Sequence, residues 1–324
     1  MPLDALKRFA VLPPGAFRLL LAAAVVVSHA SRFDIGRLAV LLFFYLSGYW
    51  VSRIYESEFE GRRWLMFYVG RWLRIMPLYF IVVLAAAVLR GLPLSWENFT
   101  LVGVDTTGRD PTGVSWSLDI EMQFYLMMPL LFAAAWTRVL MLPVVAALTV
   151  FGWWVSFHFG IETALMYLPV FALGALNAER RWRPGRNLAL LSAAGFLLFT
   201  ALIAATPFTE AFLDKTKTHP FGFDQDWFSM IWMLPLLPYV ACSLTEKSTP
   251  FDRDVGNWSY PLYLVHYPLI ALAVAHGHSK WWGVALAPVI ALALFYGADR
   301  RFERLRRWLI NGGWRGRKPA QATP

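Results

Sequence analysis

The stretch Phe17-Arg18-Leu19-Leu20-Leu21-Ala22-Ala23-Ala24-Val25-Val26-Val27-Ser28-His29 is a greasy run with an arginine near one end and a histidine at the other. Its apolar character predicts a membrane-type helix. Eleven positions separate Arg18 from His29, almost three helical turns, so both side chains share one face roughly 16 Å apart along the axis. An ionisable group within a bilayer costs about 2.5–3.5 kcal/mol on the insertion scale. A face carrying two of them is expected to line a cavity or contact a ligand rather than lipid.

Outward from this run the chain keeps the same character. Of its 324 residues, 58% are hydrophobic and 16% charged, and the mean hydropathy is +0.48. Those values suit a polytopic membrane protein and exclude an ordinary soluble domain. Apolar stretches near twenty residues predict an all-α bundle of about ten transmembrane helices, over 14–32, 37–53, 74–91, 114–134, 138–157, 163–178, 187–205, 227–244, 257–275 and 281–298. With a cytoplasmic N-terminus, 23 of the 30 basic residues fall on inner segments, as the positive-inside rule requires. Both termini are then cytoplasmic and the number of spans is even. The net charge of +9 follows from this bias and from attraction to anionic membrane lipid. A nucleic-acid partner has no support, because the basic residues sit at helix ends.

Lys7, Arg8, the apolar core and Ser28-His29-Ala30 imitate a signal peptide, but Arg18 interrupts the core and no soluble mature domain follows. The single cysteine, Cys242, excludes an intrachain disulfide and a multi-cysteine metal site. It is expected to pack in the eighth span. Residues 1–310 read as one integral membrane domain and 311–324 as a flexible cytoplasmic tail. No metal is expected, and any chemistry belongs to the bundle itself.

Polar residues cluster in four places. In the fourth predicted span Ser117, Glu121 and Tyr125 are spaced i, i+4, i+8, which stacks hydroxyl, carboxylate and phenol on one stripe. Asp119 lies roughly 200° from Glu121, off that stripe. Between the second and third spans, Arg71 and Arg74 are i, i+3 and project together. Paired guanidinium groups at a membrane face suit phosphates, and anchoring by positive charge is the other reading. Pro77 predicts a kink or restart at Met76. In the second span, Gly48 of Phe43-Phe44-Tyr45-Leu46-Ser47-Gly48 admits close approach of another helix or of a ligand. Late in the chain Ser259, Tyr263 and His266 fall on one face at i, i+4, i+7.

Together these segments resemble the acyltransferase-3 family of integral membrane proteins. The matching patterns are Arg18 and His29 eleven apart; Phe43, Phe44, Ser47 and Gly48; Arg71, Arg74, Ile75 and Pro77; Trp116, Ser117, Leu118, Glu121, Phe124 and Tyr125; and Ser259, Tyr260, Tyr263, Leu264 and His266. They occur in the family's order from Arg18 to His266. Where the family usually carries Glu-x-Pro, this chain has Glu303-Arg304-Leu305, so no role is assigned to Glu303. Some members add an extracytoplasmic esterase-like domain, and its absence favours a simpler stand-alone enzyme over peptidoglycan-type acetylation.

The resemblance implies a multi-pass enzyme of the bacterial inner (cytoplasmic) membrane. It would carry an acyl group, acetyl by expectation, from acyl-coenzyme A to a hydroxyl of an envelope or exported glycan or glycolipid. Arg18, Arg71 and Arg74 are the expected donor-binding residues; Ser117, Tyr263 and His266 the substrate-binding ones; His29, Glu121 and Tyr125 the catalytic ones. His29 would act as general base or be acylated itself, Glu121 would orient it, and Tyr125 or Ser117 would donate to the oxyanion. Polysaccharide-assembly proteins are possible partners. A carrier or flippase for a glycolipid or small anion is the alternative, and a non-catalytic scaffold leaves the Arg18/His29 face unexplained.

Overall fold

The computed structural model describes residues 10–59, 64–134, 138–206 and 224–310. Among them the chain is all helical, without strands. The long helices are α1 (Pro14–Ala30), α2 (Ile35–Phe59), α3 (Trp64–Arg90), α4 (Ser115–Ala134), α5 (Arg138–Phe159), α6 (Leu168–Arg180), α7 (Arg186–Ala204), α8 (Gln225–Thr245, with a 3-10 turn at Leu234–Leu236), α9 (Pro250–Ala275) and α10 (Lys280–Leu294). A π-helical turn, Phe295–Asp299, joins α10 to α11 (Arg300–Ile310).

Each of the ten predicted segments overlies one of these helices. Six helical stretches are long and apolar enough to cross a membrane: Ile35–Ile54, Leu65–Arg90, Leu142–Phe159, Arg186–Ala204, Gln225–Thr245 and Lys280–Ile310. The others are shorter or more polar; α1 has 17 residues and α6 only 13. The outer helices expose large apolar side chains, including Phe157, 91% exposed, and Leu142, 78% exposed. Such a belt is untenable in water and ordinary against lipid tails. This is a multi-pass membrane protein.

Helices α1, α2 and α9 form the centre, with α3 and α4 closing around it, while α5, α7 and α10 stand outside. Small residues set the closest approaches. A Cβ on Gly48 of α2 would lie 2.1 Å from the carbonyl oxygen of Phe171 on α6, and one on Gly174 of α6 would lie 2.0 Å from that of Tyr45. Gly48 therefore serves helix packing, the first of its two readings. Pro13 and Pro14 preset the start of α1, but they cannot cap it. Asp252 of α9 does so from across the interface, accepting from the amides of Gly15 (3.1 Å) and Ala16 (2.9 Å). Cys242 is buried in α8, as expected.

One local expectation fails. Arg71 and Arg74 lie inside α3, which starts at Trp64 and runs unbroken through Pro77; they are not in a link. A proline removes only one ladder bond, and the packing of α3 against α2, α9 and α11 holds the helix together. Beside Pro77, the Tyr260 phenol of α9 donates to the Ile75 carbonyl at 2.7 Å. The tail 311–324 lies outside the described residues.

Candidate active site

A cavity of about 320 Å³ runs between α1, α2, α3, α4, α9 and α11. Its basic end holds Arg18, Arg71, Arg74 and Arg306, its waist Ser47, Glu121 and Tyr125, and its far part Ser117 and Tyr263. Seven of the nine residues expected from the sequence therefore line one space. His29 and His266 are not among the lining residues.

The basic end is organised by partial neutralisation. Arg306 grips Glu303 through two hydrogen bonds, 2.8 and 2.7 Å, and Arg307 adds a third at 2.8 Å. Arg74 lies 3.6 Å from Asp299 and over the Tyr260 ring. Arg71 sits over the rings of Phe67 and Tyr125. Arg18 and Arg71 form no ion pair with a described residue, so two guanidinium groups remain available to an anion in a confined space.

At the waist, Glu121 accepts from Ser47 at 2.8 Å and from the Tyr125 phenol one turn along α4. Ser47 also lies 3.3 Å from that phenol. The i, i+4 stripe on α4 thus exists as a bonded unit, tied to α2 by the serine of Ser47-Gly48. Asp119 points elsewhere, accepting from Gln123 at 2.8 Å.

Farther in, Ser117 of α4 and Tyr263 of α9 share a hydrogen bond of 2.6 Å, and Tyr263 also donates to the Val114 carbonyl at 3.0 Å. Beyond this bridge lies a histidine pair. The rings of His29 and His266 are 5.1 Å apart between centroids, and His29 meets the Tyr267 ring edge-on at 5.0 Å. His266 is fully buried, with Nδ1 2.6 Å from the Tyr263 carbonyl. The hydrogen bonds of Glu121 therefore run to the cavity waist, whereas the rings around His29 come from α9.

Several contributors escaped the sequence reading. Glu303, left without a role, lines the cavity mouth together with Arg306. Asp299 meets Arg74 because the π-helical turn swings it inward; π-turns often mark such places, and an acid ending an apolar span was the available signal. Tyr260, matched in the late motif but given no role there, lies under Arg74, and Tyr267, next after His266, meets the His29 ring. Ahead of α4, Asp110 accepts from the Thr112 amide (2.9 Å), the Ser115 amide (2.7 Å) and the Ser115 hydroxyl (2.8 Å), which fixes where the stripe begins. Among the described residues no cluster of metal-ligating side chains occurs.

The chain is similar in sequence to several known proteins. Nodulation protein 10 of Rhizobium leguminosarum is 27% identical, over 79% of this chain and 78% of its own length. Acyltransferase MdmB of Streptomyces mycarofaciens is 25% identical, over 80% and 76%. Peptidoglycan O-acetyltransferase OatA of Listeria monocytogenes is 27% identical, over 78% of this chain but 48% of its own. No solved structure matches the chain. Residues 14–301 match the Acyltransferase domain of the acyltransferase-3 family, so the chain belongs to that family of membrane enzymes that transfer acyl groups.

Proposed function

We propose that this protein transfers an acyl group, acetyl in the simplest case, from acyl-coenzyme A to a sugar hydroxyl of an envelope or exported glycan. The observation that carries this reading is the polarity of the cavity: Arg18 and Arg71, without an ion-pair partner among the described residues, at one end and the Ser117–Tyr263 hydroxyl bridge at the other, with the two histidines behind that bridge rather than on the cavity wall. Phosphates of the donor would rest on Arg18, Arg71 and Arg74, where bidentate contacts hold an anion. The thioester would reach toward Ser117 and Tyr263. His29 would take the proton from the acceptor hydroxyl as its oxygen attacks the thioester carbon, and return it to the departing thiolate. Glu121, Ser47 and Tyr125 would hold the waist in a single arrangement, with Tyr125 or Ser117 donating to the developing oxyanion. The glycan acceptor is supported by a relative whose name specifies peptidoglycan O-acetylation.

In this reading ten spans lie in a bacterial inner membrane with both termini and the basic end cytoplasmic, where acyl-coenzyme A is found. The test is turnover by the purified protein in lipid discs, supplied with acetyl-coenzyme A and candidate oligosaccharides. Free thiol should appear only when acceptor is present, and His29→Ala should abolish it while the protein stays folded. Substrate movement without thiol release would make the protein a carrier instead.

A further inference from the structure

Helix α11 reads Arg300-Arg301-Phe302-Glu303-Arg304-Leu305-Arg306-Arg307-Trp308-Leu309-Ile310, with arginines throughout and a single acid. At about 100° per residue the side chains divide by face. Phe302, Glu303, Arg306, Leu309 and Ile310 form one side, all partly buried. Glu303 and Arg306 line the cavity mouth. Ile310 packs on α3, where a Cβ added to Gly70 would lie 2.9 Å from its Cδ1. The opposite side is exposed. An arc of about 120° carries Arg307, Arg300, Arg304, Trp308 and Arg301 in angular order, with Leu305 at its edge.

Little of that arc is used within the molecule. Arg301 and Arg304 pair with no described acid, Arg300 rests on the Tyr296 ring at 5.8 Å, and Arg307 gives one hydrogen bond to Glu303. The depth of the helix follows from the segment before it. Helix α10 and the π-helical turn run from Lys280 to Asp299, roughly 30 Å at 1.5 Å per residue, the thickness of a bilayer's hydrocarbon core. Exposed Trp281 and Trp282 mark one boundary and exposed Tyr296 lies near the other, as interfacial aromatics do. Helix α11 therefore begins where the hydrocarbon ends, with its arc at the level of the lipid phosphates.

We propose that the exposed arc of α11 is a docking site for the headgroups of anionic phospholipids. Arg300, Arg304 and Arg307 are spaced i, i+4, i+7, so their guanidinium groups stand on one stripe and converge on a phosphate. Arg301 adds charge beside them. Trp308 and Leu305 set against the adjoining acyl chains, as the apolar edge of an interfacial helix does. The arc contains no acid, because Glu303 lies on the other side and is held there by Arg306 at 2.8 and 2.7 Å. A zwitterionic headgroup brings its own ammonium into this positive field and is disfavoured. Headgroup site and donor cavity are thus opposite faces of one helix, joined at Glu303.

The inference does not depend on the donor or acceptor of the enzyme. Native mass spectrometry of the full-length protein in neutral detergent, titrated with phosphatidylglycerol, reads binding directly. An arginine near the surface gains about fivefold in binding to anionic lipid. Arg300→Gln/Arg301→Gln/Arg304→Gln should therefore weaken phosphatidylglycerol binding by about fivefold or more and leave phosphatidylcholine binding unchanged. Arg180, Arg181 and Arg183, between α6 and α7, are exposed but share no helix face. Arg180→Gln/Arg181→Gln/Arg183→Gln removes the same charge there and should change the affinity by less than about twofold. Equal losses in the two variants reduce the effect to net charge and reject the site, as does an unaltered affinity in the α11 variant. A third measurement uses the wild-type protein, so it stands even if a variant fails to fold. Phosphatidylglycerol carrying a photoreactive headgroup should cross-link to α11; labelling that misses α11 rejects the proposal. Displacement of the bound lipid by an equal concentration of coenzyme A would assign the arc to a nucleotide's phosphates and overturn it.

Discussion

Arg71 is held by two aromatic faces, Phe67 at 6.0 Å and Tyr125 at 5.8 Å, rather than by a carboxylate. That arrangement fixes the guanidinium plane while leaving its donors unspent, which is what recognition of a phosphate needs. Losing a charged hydrogen bond of this kind costs about 1.5–3 kcal/mol, so Arg71→Ala should raise KM for the acyl donor by about 10- to 100-fold with less effect on kcat. Arg71→Lys should restore only part, since an ammonium neither stacks nor forks. Steady-state kinetics against donor concentration decides it; equal losses for donor and acceptor would reduce Arg71 to shaping the fold. Gly113 makes a second residue-level case. Its φ is +69°, and an added Cβ would lie 2.2 Å from Cε1 of Tyr267, the ring that backs His29. Gly113→Ala is therefore expected to displace Tyr267 and to lower kcat by about tenfold or more, as small misplacements of reacting groups do. An alanine variant with wild-type kcat would show that Tyr267 does not hold His29.

At the level of elements, the α2–α6 contact determines whether the cavity keeps its wall. Ser47 on α2 bonds Glu121, and its neighbour Gly48 lets α6 come within backbone contact. The atom a Cβ would strike at Gly48 is the Phe171 carbonyl oxygen, part of a helix that cannot step aside as a side chain does. Gly48→Ala should therefore destabilise the bundle by about 1–3 kcal/mol, the range for overpacking, read as a lower melting temperature in lipid discs. Gly195 on α7 has open space around it and serves as the control: Gly195→Ala should not lower the melting temperature. The π-helical turn between α10 and α11 works in the opposite sense. One wide turn inserts an extra residue, and Asp299, only 3% exposed, thereby meets Arg74 instead of lipid.

For the whole molecule, the exposed apolar belt and the grouping of basic residues at one end of the cavity are what the proposed direction across the membrane rests on. Cys242, buried in α8, is the sole cysteine, so a Cys242→Ser background gives a clean scaffold for mapping that direction. Arg183, between α6 and α7, and Ser279, between α9 and α10, are both exposed. In intact cells an impermeant maleimide should label Ser279→Cys and spare Arg183→Cys until the membrane is opened. Labelling of both, or of Arg183→Cys alone, would invert or break the ten-span orientation.

Much of this was legible from residues in order along the chain. Helical class and helix positions follow from apolar runs long enough to span a bilayer, and the Ser117–Glu121–Tyr125 stripe from spacing, because backbone geometry alone decides which neighbours three or four apart share a face. The grouping of Arg18, Arg71 and Arg74 was likewise foreshadowed by spacing and by matched motifs. What the chain order could not reveal was partnership between helices. That Glu121 bonds Ser47, that His29 faces His266 and Tyr267, that Gly48 meets α6, and that Glu303 and Asp299 turn inward all depend on how helices far apart in sequence rotate and pack. Local pattern says which face is polar; only burial against a particular neighbour, with every buried donor and acceptor seeking a partner in a waterless interior, says which group that face will meet.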